Sequence, residues 1–371
     1  MNSSHQGQLQ QNETFQVGLA NSAAPLNRRY SCRPLPPISN LETTVAELCY
    51  PPIQIDSVLD APSLVQRLVE TNAPYAPVQR YFTDDAEFKA TAGEKSRAKP
   101  MFIAPVFRGD WAYDKPLIEG VEPLLHHEGF TQAAREIFGA DIVRPFSVYS
   151  NLTWQLPFAQ GPGHIDVPEF RGINRTEYPI WLLTTMNHSR LFEAERIQIA
   201  TTVAWFYQGS DGGFDYWPNG KDAAPKSHEG HIFNTAVVGD NDRMFHRVRP
   251  TGQADKGLIS GLSPNAKLTH RSGSTWTIED EGRSRAEFDY AELRISISWK
   301  AYVFKDVAEE RSFVEHDNDI SINEVWRRFA DDLKRRGIAT DVPAEPVRDP
   351  EWIALLSSTY VEEPSVQPVA A

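Results

Sequence analysis

A histidine and an aspartate stand two residues apart in GPGHIDVPEFRG, at His164 and Asp166. On extended backbone such positions project to the same side, so this imidazole and this carboxylate can grip one ion. A borderline metal such as Fe(II) accepts that mixture of nitrogen and oxygen. A facial set of two histidines and one carboxylate leaves coordination positions open for substrate and oxygen. The pair alone carries little weight, because an aspartate capping a turn beside an ordinary histidine has the same spacing. A third ligand and an anchor for an anion are needed.

His188, His228, His231, His246 and His270 follow. His246 is the best placed of them. In NTAVVGDNDRMFHRVRPTG an apolar run, a polar turn and a second short apolar run end on it, eighty residues beyond Asp166. That interval allows several strands to bring it back across a barrel. His228 and His231 fall in or beside the loop KSHEGH, where solvent is expected, and His270 in AKLTHRSGS is the alternative ligand. The anion anchor is sought in LRISISWKAYVF, whose alternation puts Arg294, Ser296 and Ser298 on one face and Ile295, Ile297 and Trp299 on the other. An inward arginine is costly unless it meets an anion. A guanidinium–carboxylate pair with a serine hydroxyl beside it offsets that cost. A structural ion pair or an outward-facing side chain would explain the arginine as well.

These residues need strands to carry them. SVYSNLTWQLP, QIATTVAWFYQG, HIFNTAVVGD and LRISISWKAYVF are short, β-branched and aromatic, and are bounded by turn formers. GSDGGFDYWPNG reads as a hairpin connection. Helices are expected over 61–71, across EGFTQAAREIFG with Phe130, Ala133, Ala134 and Phe138 inward and Gly139 as the stop, and across SINEVWRRFADDLKRRG. Residues 1–40 read as a flexible N-terminal arm, 41–144 as a helical or mixed part packed on a barrel, 145–304 as the catalytic core and 305–360 as C-terminal helices. Helices, then many short strands, then helices make the fold class α+β, mainly β, with an antiparallel barrel or jelly-roll core.

Composition narrows the function. A net charge of -13 argues against nucleic acid and anionic membranes, which call for a basic face. No apolar run approaches the roughly 20 residues needed to span a bilayer. The start MNSSHQGQLQQNETFQ has neither the basic nor the apolar stretch of a secretory signal, and the two cysteines are not spaced as a metal site, so a cytoplasmic location is expected. The acidic balance suits a small-molecule substrate; oligomeric state is left open.

The order HxD, then a strand-borne histidine, then RxS resembles the iron(II)- and 2-oxoglutarate-dependent oxygenases, built on a double-stranded β-helix (a cupin-like jelly roll). The resemblance covers about 145–304. It implies that His164, Asp166 and His246 hold iron, and that Arg294, assisted by Ser296, binds the distal carboxylate of 2-oxoglutarate. It further implies that O2 is consumed, with succinate and CO2 as co-products. The carboxylate at Asp166 favours hydroxylation of a small organic molecule over halogenation; desaturation and ring formation stay open. The chain departs from the pattern in one respect: Arg294 lies 48 positions beyond His246, so an insertion of about 253–285, a candidate lid, is expected unless His270 is the ligand. Arg247 and Arg249 are rival anion anchors. Asn151, Trp154, Gln155, Tyr207 and Arg171 are candidate substrate contacts, and Phe158, Trp205 and Trp217 candidate pocket aromatics, although core packing accounts for most aromatics. Two rival readings remain: an iron oxygenase of the same fold that does not use 2-oxoglutarate, and a non-catalytic jelly-roll binding protein.

Overall fold

The strand with the clearest alternation sits in the middle of the main sheet. In the computed structural model, which describes residues 49–80, 102–154, 163–252, 259, 262–263 and 265–361, that sheet is eight-stranded. In chain order its members are β1 (Ile53–Ile55), β2 (Ala76–Arg80), β3 (Phe102–Tyr113), β4 (Lys115–Pro116), β5 (Ile142–Thr153), β6 (Ile199–Trp205), β9 (Thr235–Gly239) and β14 (Arg294–Phe304). Their spatial order is β1-β9-β6-β14-β5-β3-β2, with β4 on β3. A second sheet, β10-β7-β8, is made of β7 (Phe214–Trp217), β8 (Lys226–His228) and β10 (Phe245–Val248). An antiparallel bridge between His164 and His246 extends it on the β10 side.

The chain winds alternately through the two sheets: β5 in the first, 163–166 in the second, β6 in the first, β7 and β8 in the second, then β9, β10 and β14. This winding is a double-stranded β-helix. Period-two alternation on each strand then sends one set of side chains between the sheets and the other set outward.

The outward set of the main sheet, including Val148, Leu152, Ala204, Ile295, Ile297 and Trp299, builds the larger core. Against it pack α1 (Ser63–Thr71), α2 (Glu122–Leu125) and α3 (Glu128–Phe138). Helix α3 buries Phe130, Ala133, Ala134 and Ile137 and ends on Gly139 in the left-handed region. Phe138 is therefore only partly buried, with Ile137 taking the inward place expected for it. A separate core joins α4 (Ile180–Ser189), α6 (Ile322–Arg335) and α7 (Pro350–Thr359). Helix α6 has Ser321 as its N-cap and buries Val325, Trp326, Phe329 and Leu333. Helix α5 (Val307–Glu315) follows β14 in the chain and packs Phe313 against Tyr302 and Phe304 of that strand.

Four expectations change. The region before 145 contributes β1 to β4 to the main sheet, so it is part of the barrel wall as well as its cover. The hairpin connection read in GSDGGFDYWPNG contains buried strand β7, because Phe214, Tyr216 and Trp217 reach apolar neighbours that outweigh the surrounding turn formers. The 48 residues after His246 include a meander of β11 (Lys267–Ser272), β12 (Thr275–Asp280) and β13 (Arg283–Asp289). Its Leu268, Trp276, Ile278 and Phe288 are bedded in the outer core, and none of its described residues lines the cavity between the sheets. His228 is buried on β8 with its ring tilted against Trp205, centroids 4.9 Å apart, whereas His231 is exposed as expected. The arm over 1–40 lies outside the described residues.

Candidate metal centre

Two distant stretches are stitched together at backbone level before any side chain is considered. The His164 N–H donates to the His246 carbonyl at 2.9 Å, and the His246 N–H returns the bond to His164 at 2.8 Å. Two residues on, the Asp166 N–H donates to the Asn241 carbonyl at 2.9 Å. The glycine before the pair is needed here. Gly163 has φ +114°, and a Cβ on it would sit 2.6 Å from the Phe245 ring and 3.1 Å from the His246 carbonyl. The preceding Gly-Pro lies outside the described residues.

The consequence is a cluster. One donor atom each from His164, Asp166 and His246 lie within 4.8 Å of one another. His246 Nε2 is 3.6 Å from Asp166 Oδ1. His246 Nδ1 is 2.8 Å from the Met244 carbonyl, an atom that can only accept, so Nδ1 carries a proton there and Nε2 is the nitrogen turned toward Asp166. Lys300 Nζ holds the other Asp166 oxygen, Oδ2, at 2.7 Å. Burial pushes the Asp166 carboxyl up, but Lys300 and then the two imidazoles outweigh it and hold it well below the usual carboxylate range. Two imidazoles and one carboxylate are a donor set that suits a borderline divalent ion such as Fe(II), with coordination positions to spare.

The cluster opens into a cavity of about 80 Å³ between the sheets, lined on the main-sheet side by Arg108, Tyr149, Asn151, Arg294, Ser296 and Ser298. Arg294 is 2% exposed. Its Nε donates to the Gly212 carbonyl at 2.6 Å and its Nη1 lies 3.4 Å from Ser296 Oγ. Its Nη2 is buried and has no hydrogen-bond partner among the described residues. Burial pushes the guanidinium down to about 10, against the pull of Tyr207 and Asp211, so it stays charged at neutral pH. Beside it Gly212, at φ +65°, has no room for a Cβ, which would lie 2.7 Å from Thr251 Oγ1 and 2.8 Å from Arg294 Nε. The Thr251 hydroxyl is likewise buried without a partner. A cationic nitrogen and a hydroxyl left unsatisfied together suit a carboxylate.

Comparison with known proteins adds a likeness of shape. No family model matches the chain. No curated protein matches it either. Solved structures do. A Burkholderia pseudomallei oxidoreductase of the 2OG-Fe(II) oxygenase family is 11% identical over 68% of this chain and 87% of its own, with a TM-score of 0.36. A Pseudomonas putida prolyl-4-hydroxylase is 12% identical over 69% and 94%, with a TM-score of 0.31. A non-heme alpha ketoglutarate dependent carbocyclase from nogalamycin biosynthesis is 9% identical over 71% and 85%, with a TM-score of 0.34. Likenesses this distant carry no function by themselves; the site must.

His164, Asp166 and His246 come together with Arg294 and Ser296 on the same cavity, and Asn151 lines it too. The Asn151 Oδ1 accepts from Arg108 at 2.9 and 3.1 Å, which braces that guanidinium over the Tyr149 ring. Other candidates are placed elsewhere. Trp154 stacks on Phe288 at 4.8 Å, the Tyr207 hydroxyl donates to Asp211 at 2.6 Å, and Arg171 donates to the Ala194 carbonyl at 2.6 Å; none of the three lines the cavity. Gln155 and Phe158 lie outside the described residues. Trp205 and Trp217 are core residues, and Phe214 joins Tyr149 at the cavity wall. The rival ligand His270 donates from Nε2 to the Gly273 carbonyl of its own turn, and Arg247 and Arg249 both pair with Asp215. Sequence reading missed Lys300, although the alternation that singled out Arg294, Ser296 and Ser298 reaches it on the next step. It also missed Arg108, which no local pattern distinguishes.

Proposed function

We propose that this chain is an Fe(II)- and 2-oxoglutarate-dependent oxygenase that hydroxylates a C–H bond of a small organic molecule, releasing succinate and CO2. The observation that carries the reading is Arg294, a buried cation with an unsatisfied nitrogen on the wall of the cavity that holds the ligand triad. When bound, Fe(II), 2-oxoglutarate and O2 supply an oxidative decarboxylation coupled to oxidation of the substrate.

The rest is done by this chain's residues. His164, Asp166 and His246 would hold the metal through two imidazoles and one carboxylate. Arg294, with Ser296 and the Thr251 hydroxyl, would receive the far carboxylate of the keto acid and orient it in the cavity. Val203, Phe214 and Val248 give the cavity an apolar side that limits water. Arg108, held by Asn151 and Tyr149, offers a second cation on the β3 side for a polar group of the substrate.

The test is an anaerobic titration of the purified protein with Fe(II) and 2-oxoglutarate, followed by visible absorption. A band requiring both additions is expected in wild type, absent in His164→Ala and weakened in Arg294→Ala. Wild-type protein that stays colourless with both present contradicts the reading. Succinate formation separates it from an iron oxygenase that ignores 2-oxoglutarate.

A further inference from the structure

We infer that Lys300 is a positioning residue of the metal centre: its buried ammonium holds one oxygen of Asp166 so that only the other faces the ion. This rests on the reading of His164, Asp166 and His246 as metal ligands.

Lys300 lies on β14, on the same face as Arg294, Ser296 and Ser298, and its side chain is 3% exposed. The two oxygens of Asp166 are divided between neighbours. Oδ2 is 2.7 Å from Lys300 Nζ, and Oδ1 is on the imidazole side, 3.6 Å from His246 Nε2. A lysine in mid-sheet is an expensive way to fill space, since a methionine of similar length needs no desolvation of charge. Its neighbours across the strands, Thr201 and Ser147, are small and give the ammonium no charge partner. The ammonium instead meets the carboxylate of the ligand triad, with the buried Asp242 carboxylate also within its electrostatic reach.

The division of oxygens has a chemical consequence. A carboxylate with both oxygens free can bind an ion through both, as carboxylates around Ca²⁺ do. Each extra bond removes a position that the keto acid, oxygen or substrate needs. An ammonium fixed on Oδ2 blocks that second bond and fixes the rotation of the group, so Asp166 stays a one-oxygen ligand. Outer partners of metal ligands act in this way, by orienting the ligand and setting its basicity.

The test uses Co(II), whose visible spectrum reports coordination number without turnover. Full-length wild type is compared with K300M, K300L and K300R, with circular dichroism and melting of the Co(II)-loaded proteins as the control for folding. The Met and Leu variants should bind Co(II) roughly 10–100-fold more weakly, with a changed visible spectrum, because both carboxylate oxygens then reach the ion. K300R, which keeps a charged donor on Oδ2, should restore the wild-type spectrum. Two apolar residues of different shape are included so that at least one folded variant is read. A folded K300M or K300L with wild-type spectrum and affinity overturns the proposal. So does a K300R altered as much as the apolar variants, which would make Lys300 a packing residue. If wild type shows no Co(II) signal that His164→Ala removes, the metal centre itself fails and takes this inference with it.

Discussion

Along β14, Ile295, Ile297, Trp299, Ala301 and Val303 face the outer core, and Arg294, Ser296, Ser298 and Lys300 face the space between the sheets. All of them are nearly inaccessible, so burial does not separate the two faces. Satisfaction does. On the outer face the polar atom of Trp299 is spent, its Nε1 donating to the Leu125 carbonyl at 2.9 Å. On the inner face Arg294 keeps a buried nitrogen without a partner among the described residues, and Lys300 holds a carboxylate that also faces two imidazoles. The outer face is closed to further chemistry, whereas the inner one has been left incomplete. A buried polar group without a partner costs stability, and a buried cation in that state on the cavity of the ligand triad is suited to an anion.

Substitutions should break this contrast in a definite order. Asp166→Ala should have the largest functional effect, with Co(II) or Fe(II) binding reduced beyond the roughly 10–100-fold typical of outer partners; dialysis with metal analysis reads it, and a variant that retains stoichiometric metal would refute the ligand assignment. Trp299→Ala is the matching cut on the outer face. It should lower stability by about 3–5 kcal/mol in denaturant unfolding while the folded fraction keeps the wild-type metal spectrum. Arg294→Met should invert that pattern, because removing a buried unpaired cation is neutral or stabilising. Its 2-oxoglutarate affinity should fall by roughly 10–100-fold, the worth of a charged hydrogen bond, and equal affinity in calorimetry would end its role as anchor.

The smallest effect concerns acidity. His228, against Trp205 and 2.7 Å from Thr235 Oγ1, is pushed below its ordinary value by burial. The unfolded chain therefore takes up its proton first as pH falls, and stability contributed by the neutral ring is present above about 6.5 and lost below it. Unfolding midpoints at pH 7.5 and 5.5 should differ less in His228→Gln than in wild type. An unchanged difference would show that other groups set the slope.

Much of the inner face could be read in advance, and the reason is local. HxD on extended backbone, RxS on an alternating strand and the histidine after MF each state which way a side chain points relative to its own neighbours. The Ser321 cap and the apolar stripe of α6 are legible on the same ground. What was missed depends on partners far away in the chain. Trp154 and Tyr207 look like pocket aromatics until Phe288 and Asp211 claim them. His228 looks solvated until Trp205 covers it. The residues after His246 resemble a free insertion until the outer core takes up Trp276 and Phe288.

The amino-acid order by itself determined the alternation of each strand, the caps of its helices and the chemical types able to bind a metal and an anion, because these follow from backbone geometry over a few residues. Only the tertiary winding decided that residues 164, 166, 246 and 294 share one cavity, that an ammonium six positions beyond Arg294 meets Asp166, and that the rival histidine and arginines do not take part. Such meetings depend on how many strands lie between two points and which sheet each joins, a sum over the whole chain that no short stretch contains.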